Sequence, residues 1–213
     1  AFALMMNSFQ SQGYKKVVQS IVNMPHFISV VVLVGMLLQV FNARTGLYGA
    51  IVQQLTGAYP ADLFSTANNF RHLYIWSGAW QQFGWSSIIY IAALSGVSYE
   101  MHEAAQIDGA SRLQRIRHID FPSILPTITI MLILRMGNVM SIGFEKVFLM
   151  QNSLNLTASE VISTYVYKVG MTGTSDFSYS TAIGLLNSLI NMALIVSVNF
   201  LAGPGGMVSL GHA

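Results

Sequence analysis

The sequence has no cysteine. That absence removes disulfide frameworks, thiolate chemistry and cysteine-based zinc sites together, and it leaves the redox compartment open. Charge is scarce as well: 8% of the 213 residues are Asp, Glu, Lys or Arg, where a soluble domain carries about a quarter. So few charges cannot cover a water-exposed surface, which excludes a soluble enzyme, and an apolar content of 53% excludes a disordered chain. The formal net charge is +2 and the longest basic run is Lys15-Lys16, too little for a nucleic-acid binder. Catalytic signatures are missing too. None of Lys15, Lys16, Lys146 or Lys168 follows a glycine, so no P-loop is present to cradle phosphates. His102-Glu103-Ala-Ala-Gln106 carries Gln where a zinc-protease pattern needs its second His, and a metal there would lose a ligand. No Gly-x-Ser-x-Gly occurs. The expectation is no catalytic residue, no metal site and no directly bound cofactor.

What the chain does have is long apolar stretches, and a helix needs about 20 such residues to cross a bilayer. Val17 to Ala43 contains no charged residue, and neither does Leu73 to Tyr99, which opens with Trp76, Trp80 and Trp85. Ser123 to Phe144 is interrupted by Arg135, and Phe177 to Ala202 is uncharged throughout. Four spans are therefore predicted, over residues 17–43, 73–98, 123–144 and 177–202, with both ends on one side. The opening Ala-Phe-Ala-Leu-Met-Met-Asn, followed by polar Gln10-Ser-Gln-Gly and Lys15-Lys16, reads as the tail end of another span rather than a signal peptide, whose positive charges would come first. The Gly-rich residues 203–213 read as a truncation or a cloning scar.

Charge density points to one loop. Seven of the eighteen charged residues fall between Glu100 and Asp120, so this is where the protein meets something in water. Read locally, the loop is two short helices with a bend. Ser98 is placed to cap the first, Glu100 complements its dipole, and Asp108-Gly109 supplies a left-handed stop. Ser111-Arg-Leu-Gln114 fits the capping box that opens the second, and Pro122 falls just past its end. Met101, Ala104, Ala105 and Asp108, spaced by three and four, make a narrow face that seats in a partner's groove. The alternative is a hairpin lying at the membrane surface.

Glu103-Ala-Ala-Gln-Ile-Asp-Gly109 followed by Ile119-Asp-Phe-Pro122 resembles the EAA loop of the permease subunits of binding-protein-dependent ABC importers. That pattern is EAA, three residues, Gly, nine residues, Ile-x-Leu-Pro, and every fixed position matches except Phe121, where the family usually has Leu. The extended form, met here through Gln114, is most like the carbohydrate-uptake branch. Tyr14-Lys-Lys-Val-Val-Gln-Ser, Asn23-Met-Pro-His-Phe, Gly143-Phe-Glu-Lys-Val-Phe-Leu-Met150, Thr164-Tyr-Val-Tyr167 and Asp176-Phe-Ser-Tyr-Ser-Thr-Ala-Ile-Gly-Leu185 look like the oligosaccharide and polysaccharide-fragment permeases within it.

The resemblance implies an all-α polytopic membrane helix bundle of the type I ABC importer permease kind, truncated at its N-terminus, with residues 1–202 as the permease domain. The loop over 99–122 would couple to a separate cytoplasmic ATPase. Glu103 would pair with a basic residue of that ATPase, Ala104 and Ala105 would permit close approach, and Gly109 would make the turn, with Asp108, Ile119 and Pro122 completing the motif. The implied partners are two ATPase subunits holding ATP and Mg, a second permease that is a related hetero-partner, an extracytoplasmic solute-binding protein and the lipid bilayer. The implied location is the cell membrane, multi-pass, and nucleic acid is not a partner. A peptide or amino-acid importer is the nearest alternative, and a secondary transporter stands further off.

A sugar presents hydroxyls and flat C–H faces, so its path wants amide or carboxylate groups beside aromatic rings. Trp76 and Trp80 lie four apart on one helical face, either lining that path or forming an interfacial belt. Ser180, Gly184, Asn187 and Asn191 form a polar stripe, which lines a path or merely holds helices together. Arg135, expected near mid-span with Asn138 one turn on, meets an anionic sugar or a carboxylate of the sister subunit. Glu145 and Lys146, near the outer end, are expected to meet the solute or the solute-binding protein, together with the segments Arg44 to His72 and Gln151 to Ser175.

Overall fold

The computed structural model describes residues 2–9, 11–140, 142–172 and 176–202. Regular structure among them is helical. In chain order the helices are α1 (Phe2–Ser8), α2 (Gln12–Asn23), α3 (Val30–Val40), α4 (Leu47–Thr56), α5 (Ala67–Ser95) and α6 (Tyr99–Ile107). They continue with α7 (Arg112–Arg115), α8 (Phe121–Met136), α9 (Phe144–Met150), α10 (Leu156–Ser159), α11 (Ile162–Met171) and α12 (Phe177–Ala202). The chain divides into two compact units, one of Ala1–His26, Gln81–Gly137 and Ala193–Ala213, the other of Phe27–Trp80 and Asn138–Met192. The glycine-rich segment 203–213 lies outside the described residues.

In the first unit Ser11 caps α2 by accepting a hydrogen bond from the Tyr14 N–H at 3.4 Å. The later part of α5 lies directly against α2. A Cβ at Gly84 would stand 2.3 Å from the Val22 carbonyl oxygen and 2.5 Å from Asn23 Oδ1, so only glycine allows that backbone approach. One residue on, Trp85 stacks on the His26 ring at 4.3 Å with planes 6° apart. The core of this unit is Ala3, Leu94 and Ile124, with Leu4, Tyr90, Ile91, Ala93 and Ile128 packed around them.

The second unit is built on Val34, Phe64, Phe70, Val147 and Met150. Its polar centre is Asn155, fully buried. The Asn155 amide donates to the carbonyls of Phe64 (3.0 Å) and Met150 (3.1 Å), while Oδ1 accepts from the Asn152 N–H (2.9 Å) and the Ser159 hydroxyl (2.9 Å). With every polar atom occupied, a buried amide becomes a fixed joint rather than a liability. The segments 44–72 and 151–172 are thus structured, the first carrying α4 and the second α10 and α11.

Among the described residues two helices are long and apolar enough to span a membrane, Arg112–Met136 and Phe177–Phe200, and a third span counts if Gln12–Phe27 and Val30–Val40 are taken together as one broken segment. The helix expected over 17–43 is therefore not continuous. Buried Pro25 sits in a 3-10 turn over Met24–Phe27, and Ser29 starts a new helix by accepting from the Val32 N–H at 3.3 Å, so the α-helical ladder cannot run through. Of the expected span 73–98, residues 73–95 lie in 29-residue α5, which starts earlier, at Ala67, and ends at Ser95; it is long enough but carries Gln81, Gln82, Ser86 and Ser87 in place of aliphatic residues. The span expected over 123–144 is displaced: its helix enters from the loop at Arg112 and ends at Met136.

Candidate functional site

The loop between α5 and α8 is built from its helix ends. Ser98 occupies the N-cap of α6 in extended backbone but makes no side-chain capping bond, contrary to the sequence expectation, while Glu100 stands in the first turn. The C-terminal end is more tightly specified. Gly109 adopts φ +79°, the Gly109 N–H bonds the Gln106 carbonyl at 3.0 Å, and the Ala110 N–H bonds that of Ala105 at 2.8 Å. This pair of bonds is a Schellman ending, which requires a left-handed residue at the position Gly109 fills. Two residues on, Ser111 and Gln114 close a reciprocal capping box, with the Ser111 N–H donating to Gln114 Oε1 at 2.7 Å and the Gln114 N–H to Ser111 Oγ at 3.4 Å.

Pro122 does not stop this second helix. From α7 the chain passes through a π-helical turn over Ile116–Asp120 directly into α8, where Pro122 sits in the first turn. The wider turn absorbs the residue that a proline would otherwise force out of register. Ile119 lies half-buried within that turn and Pro122 is exposed.

The faces of α6 are clearly divided. His102 and Ala105 point inward and are half-buried, whereas Glu103, Ala104 and Asp108 are exposed. Large apolar side chains are exposed beside them: Ile107 at 87%, Leu113 at 75% and Tyr99 at 70%. The outward face is thus Glu103, Ala104, Ile107 and Asp108 rather than the stripe expected from Met101, Ala104, Ala105 and Asp108, because Ala105 is turned in. Apolar groups of this size exposed next to charge are the mark of a surface that meets a partner.

Under the inward face lies a carboxylate whose partners sequence reading missed. Asp120 is 4% exposed, and its Oδ1 accepts from Asn7 Nδ2 at 3.2 Å and lies 3.3 Å from His102 Nε2. The Lys15 ammonium in turn donates to the Asn7 carbonyl at 3.4 Å. An acidic residue at the mouth of an apolar helix was the available signal, because a buried carboxylate must find donors.

Trp76 and Trp80 stay exposed at 71% and 51%. Arg135 is in the last turn of α8 rather than at mid-span, a position where a cation complements the helix dipole, and it reaches Ser86 Oγ at 3.5 Å. Asn138 lies beyond the end of α8, in the turn that follows Gly137, and not one helical turn on. Glu145 is exposed in the first turn of α9.

The stripe on α12 does face inward. Ser180 donates to the Val166 carbonyl at 3.0 Å, and Asn191 Oδ1 accepts from the Met140 N–H at 3.3 Å. The first ties α12 to α11, and the second ties it to the turn that follows α8. Asn187 differs, since its buried Oδ1 makes no hydrogen bond among the described residues.

Lys146 departs furthest from expectation, being 8% exposed. Its ammonium donates to the Tyr74 carbonyl at 3.0 Å and lies 4.8 Å from the centre of the Tyr74 ring. Burial lowers its pKa to about 8, the direction expected when desolvation disfavours the charged form.

Residues 1–203 match the family described as binding-protein-dependent transport system inner membrane component. The chain is 39% identical over 200 residues to Protein LplB of Bacillus subtilis, covering 94% of this chain and 62% of that one. It is 36% identical over 204 residues to the polygalacturonan/rhamnogalacturonan transport system permease protein YteP of the same organism, covering 96% and 63%. The chain therefore spans less than two thirds of the length of these relatives. Among solved structures, a bacterial ABC transporter involved in the import of the acidic polysaccharide alginate contains a chain that matches with a TM-score of 0.91 at 33% identity, over 96% of this chain and 71% of that one. The bacterial alginate ABC transporter in complex with an alginate pentasaccharide-bound periplasmic protein matches with 0.89 at 34% identity, over 95% and 69%. The fold is the all-α helix bundle of ABC importer permeases, and the chain belongs to the family of binding-protein-dependent transport system inner membrane components.

Proposed function

We propose that this chain is a multi-pass permease subunit of an ATP-driven importer in the cell membrane. It forms part of the path for an oligosaccharide that an extracytoplasmic solute-binding protein delivers. The observation that carries this reading is the loop over 99–122: a short helix with Glu103, Ala104, Ile107 and Asp108 turned outward, ended by a left-handed glycine and followed at once by a second helix whose start a capping box fixes. Such a helix is stiff enough to transmit a push and small enough at Ala104 to sit closely in a cleft.

On this reading ATP and Mg belong on a separate cytoplasmic ATPase, present in two copies; these 213 residues themselves carry no P-loop. Glu103 supplies one half of a charge pair with that ATPase, and truncating such a pair when it is desolvated costs about 2–5 kcal/mol. Closure of the ATPase pair then moves α6, and through α7 and the π turn the motion enters α8. A second, related permease completes the bundle. The carbohydrate assignment is supported by the transport system named for YteP and by the alginate importer. Among the path residues, Asn187 holds a buried acceptor that makes no hydrogen bond among the described residues and would accept from a sugar hydroxyl that reached it.

The test is uptake by the assembled transporter in proteoliposomes, with ATP inside and the cognate binding protein outside. Accumulation of labelled oligosaccharide that requires both ATP and the binding protein is the expected result. Uptake driven by an ion gradient without ATP, or retention of a peptide rather than a sugar by the binding protein, would overturn the reading.

A further inference from the structure

Asp120 lies in the π-helical turn between α7 and α8, and its Oδ1 is the meeting point of three elements. His102 comes from α6, Asn7 from the last turn of α1, and the carboxylate itself from the entrance to α8. The contact separates partners by 113 positions along the chain in the case of Asn7, so it is a property of the tertiary fold rather than of the loop's local sequence. A carboxylate 4% exposed is held this deep only by the donors it meets. The π turn matters here, because an inserted residue rotates the following side chains around the helix, and such turns cluster where function needs a side chain re-aimed.

The helix geometry of α6 makes the contact directional. Successive residues are about 100° apart around an α-helix, so fixing His102 toward Asp120 turns its neighbour Glu103 out to solvent, as observed. Apart from His102, Ala105 is the one residue of α6 that is not exposed. Alpha6 is only nine residues long and buries no residue fully, so packing alone does not set its rotation.

We propose that Asp120 is a positioning residue for coupling: through His102 it fixes the rotation of α6 and carries movement of that helix into α8, while Asn7 anchors the same oxygen to α1. This rests on the reading of α6 as the ATPase-coupling helix. Asp120 touches neither solute nor nucleotide, so its loss disconnects two events instead of abolishing either one.

The experiment uses the full transporter with its ATPase and binding protein, comparing His102→Ala, His102→Gln, Asp120→Ala and Asp120→Asn. In a transporter freed of any other cysteine, a single Gln106→Cys substitution on the exposed side of α6 carries a spin label that reports helix mobility independently of transport. The expected result for His102→Ala and Asp120→Ala is ATP hydrolysis within about twofold of the unsubstituted transporter, at least a tenfold loss of solute taken up per ATP, and increased label mobility. His102→Gln, whose amide can donate from a similar place, restores most of the ratio, and Asp120→Asn, which keeps an acceptor, falls between. The double variant His102→Ala with Asp120→Ala is no worse than Asp120→Ala alone, since that substitution already removes the contact to His102.

An unchanged uptake-to-ATP ratio in assembled Asp120→Ala, or a His102→Gln variant no better than His102→Ala, overturns the proposal. Parallel loss of hydrolysis and uptake also overturns it, by making Asp120 a residue of assembly alone. If the unsubstituted transporter shows no ATP-driven uptake, the coupling reading itself fails, and the label then shows separately whether Asp120 orients α6.

Discussion

Replacing Gly109 separates the conformational demand of the loop from its chemistry. The residue has φ +79°, and a Cβ built on it would meet nothing within 4 Å. Any penalty is therefore one of backbone conformation and not of collision. A left-handed L-residue costs about 1–2 kcal/mol, less for Asn, whose side chain tolerates that region, and more for a β-branched residue. If the chain relaxes instead, the bonds from Gly109 to Gln106 and from Ala110 to Ala105 are lost and α6 frays where Ile107 and Asp108 stand exposed. A penalty of 1–2 kcal/mol corresponds to about a 5–30-fold drop in the population of the correctly ended helix.

The assay is solute taken up per ATP hydrolysed by the assembled transporter. The expected order is Gly109, close to Gly109→Asn, then Gly109→Ala, then Gly109→Val, with the last retaining about a tenth of the coupling or less. Gly57 is the matched control: it ends α4 with φ +75° and also has nothing within 4 Å of a Cβ. Gly57→Val carries the same local penalty in the other unit, outside the coupling loop, and should lower the ratio far less than Gly109→Val does. Normal coupling by Gly109→Val, or equal loss in the two valine variants, would refute the reasoning.

Three further outcomes are expected. Gly84→Ala places a methyl group 2.3 Å from the Val22 carbonyl and should lower thermal stability in detergent by about 1–3 kcal/mol, whereas Gly13→Ala, with nothing within 4 Å, should not. Asn155→Ala strands the partners of four hydrogen bonds and should cost about 2–4 kcal/mol, read as faster proteolysis within residues 151–172. Lys146 has a folded pKa of about 8 against 10.5 unfolded. The unfolded chain thus binds more protons between these values, and stability should rise as pH increases from about 8 to 10.5, on the order of 3 kcal/mol at most. In Lys146→Met that rise should vanish, which thermal unfolding at a series of pH values reads directly.

Local signals were legible where the physics is local. The Asp108-Gly109 stop and the Ser111-Gln114 box rest on residues within five positions of one another, and each adopts the geometry its residue types favour. Errors arose where one residue type serves two structures. Pro122 reads as a stop, yet after a π turn it opens a helix; Arg135 reads as a charge at membrane depth, yet the helix begins at Arg112 and places it in the last turn. Residues 17–43 read as one uncharged span, yet the 3-10 turn at Pro25 and the new cap at Ser29 divide the segment completely. The least legible features depend on distant partners. Nothing in Ile119-Asp-Phe-Pro122 names Asn7 or His102, and nothing in Glu145-Lys146 shows that one side chain faces out while its neighbour is buried against Tyr74.

The central claim is that the loop over 99–122 couples this permease to a separate ATPase. Its most direct test is to tag the protein in its own membrane, solubilise it mildly and identify what co-purifies by mass spectrometry, with and without substitution of Glu103 and Gly109. Recovery of two copies of a P-loop ATPase and a related permease, with the ATPase lost on substitution, is the predicted result. A protein that purifies alone and intact would contradict the account.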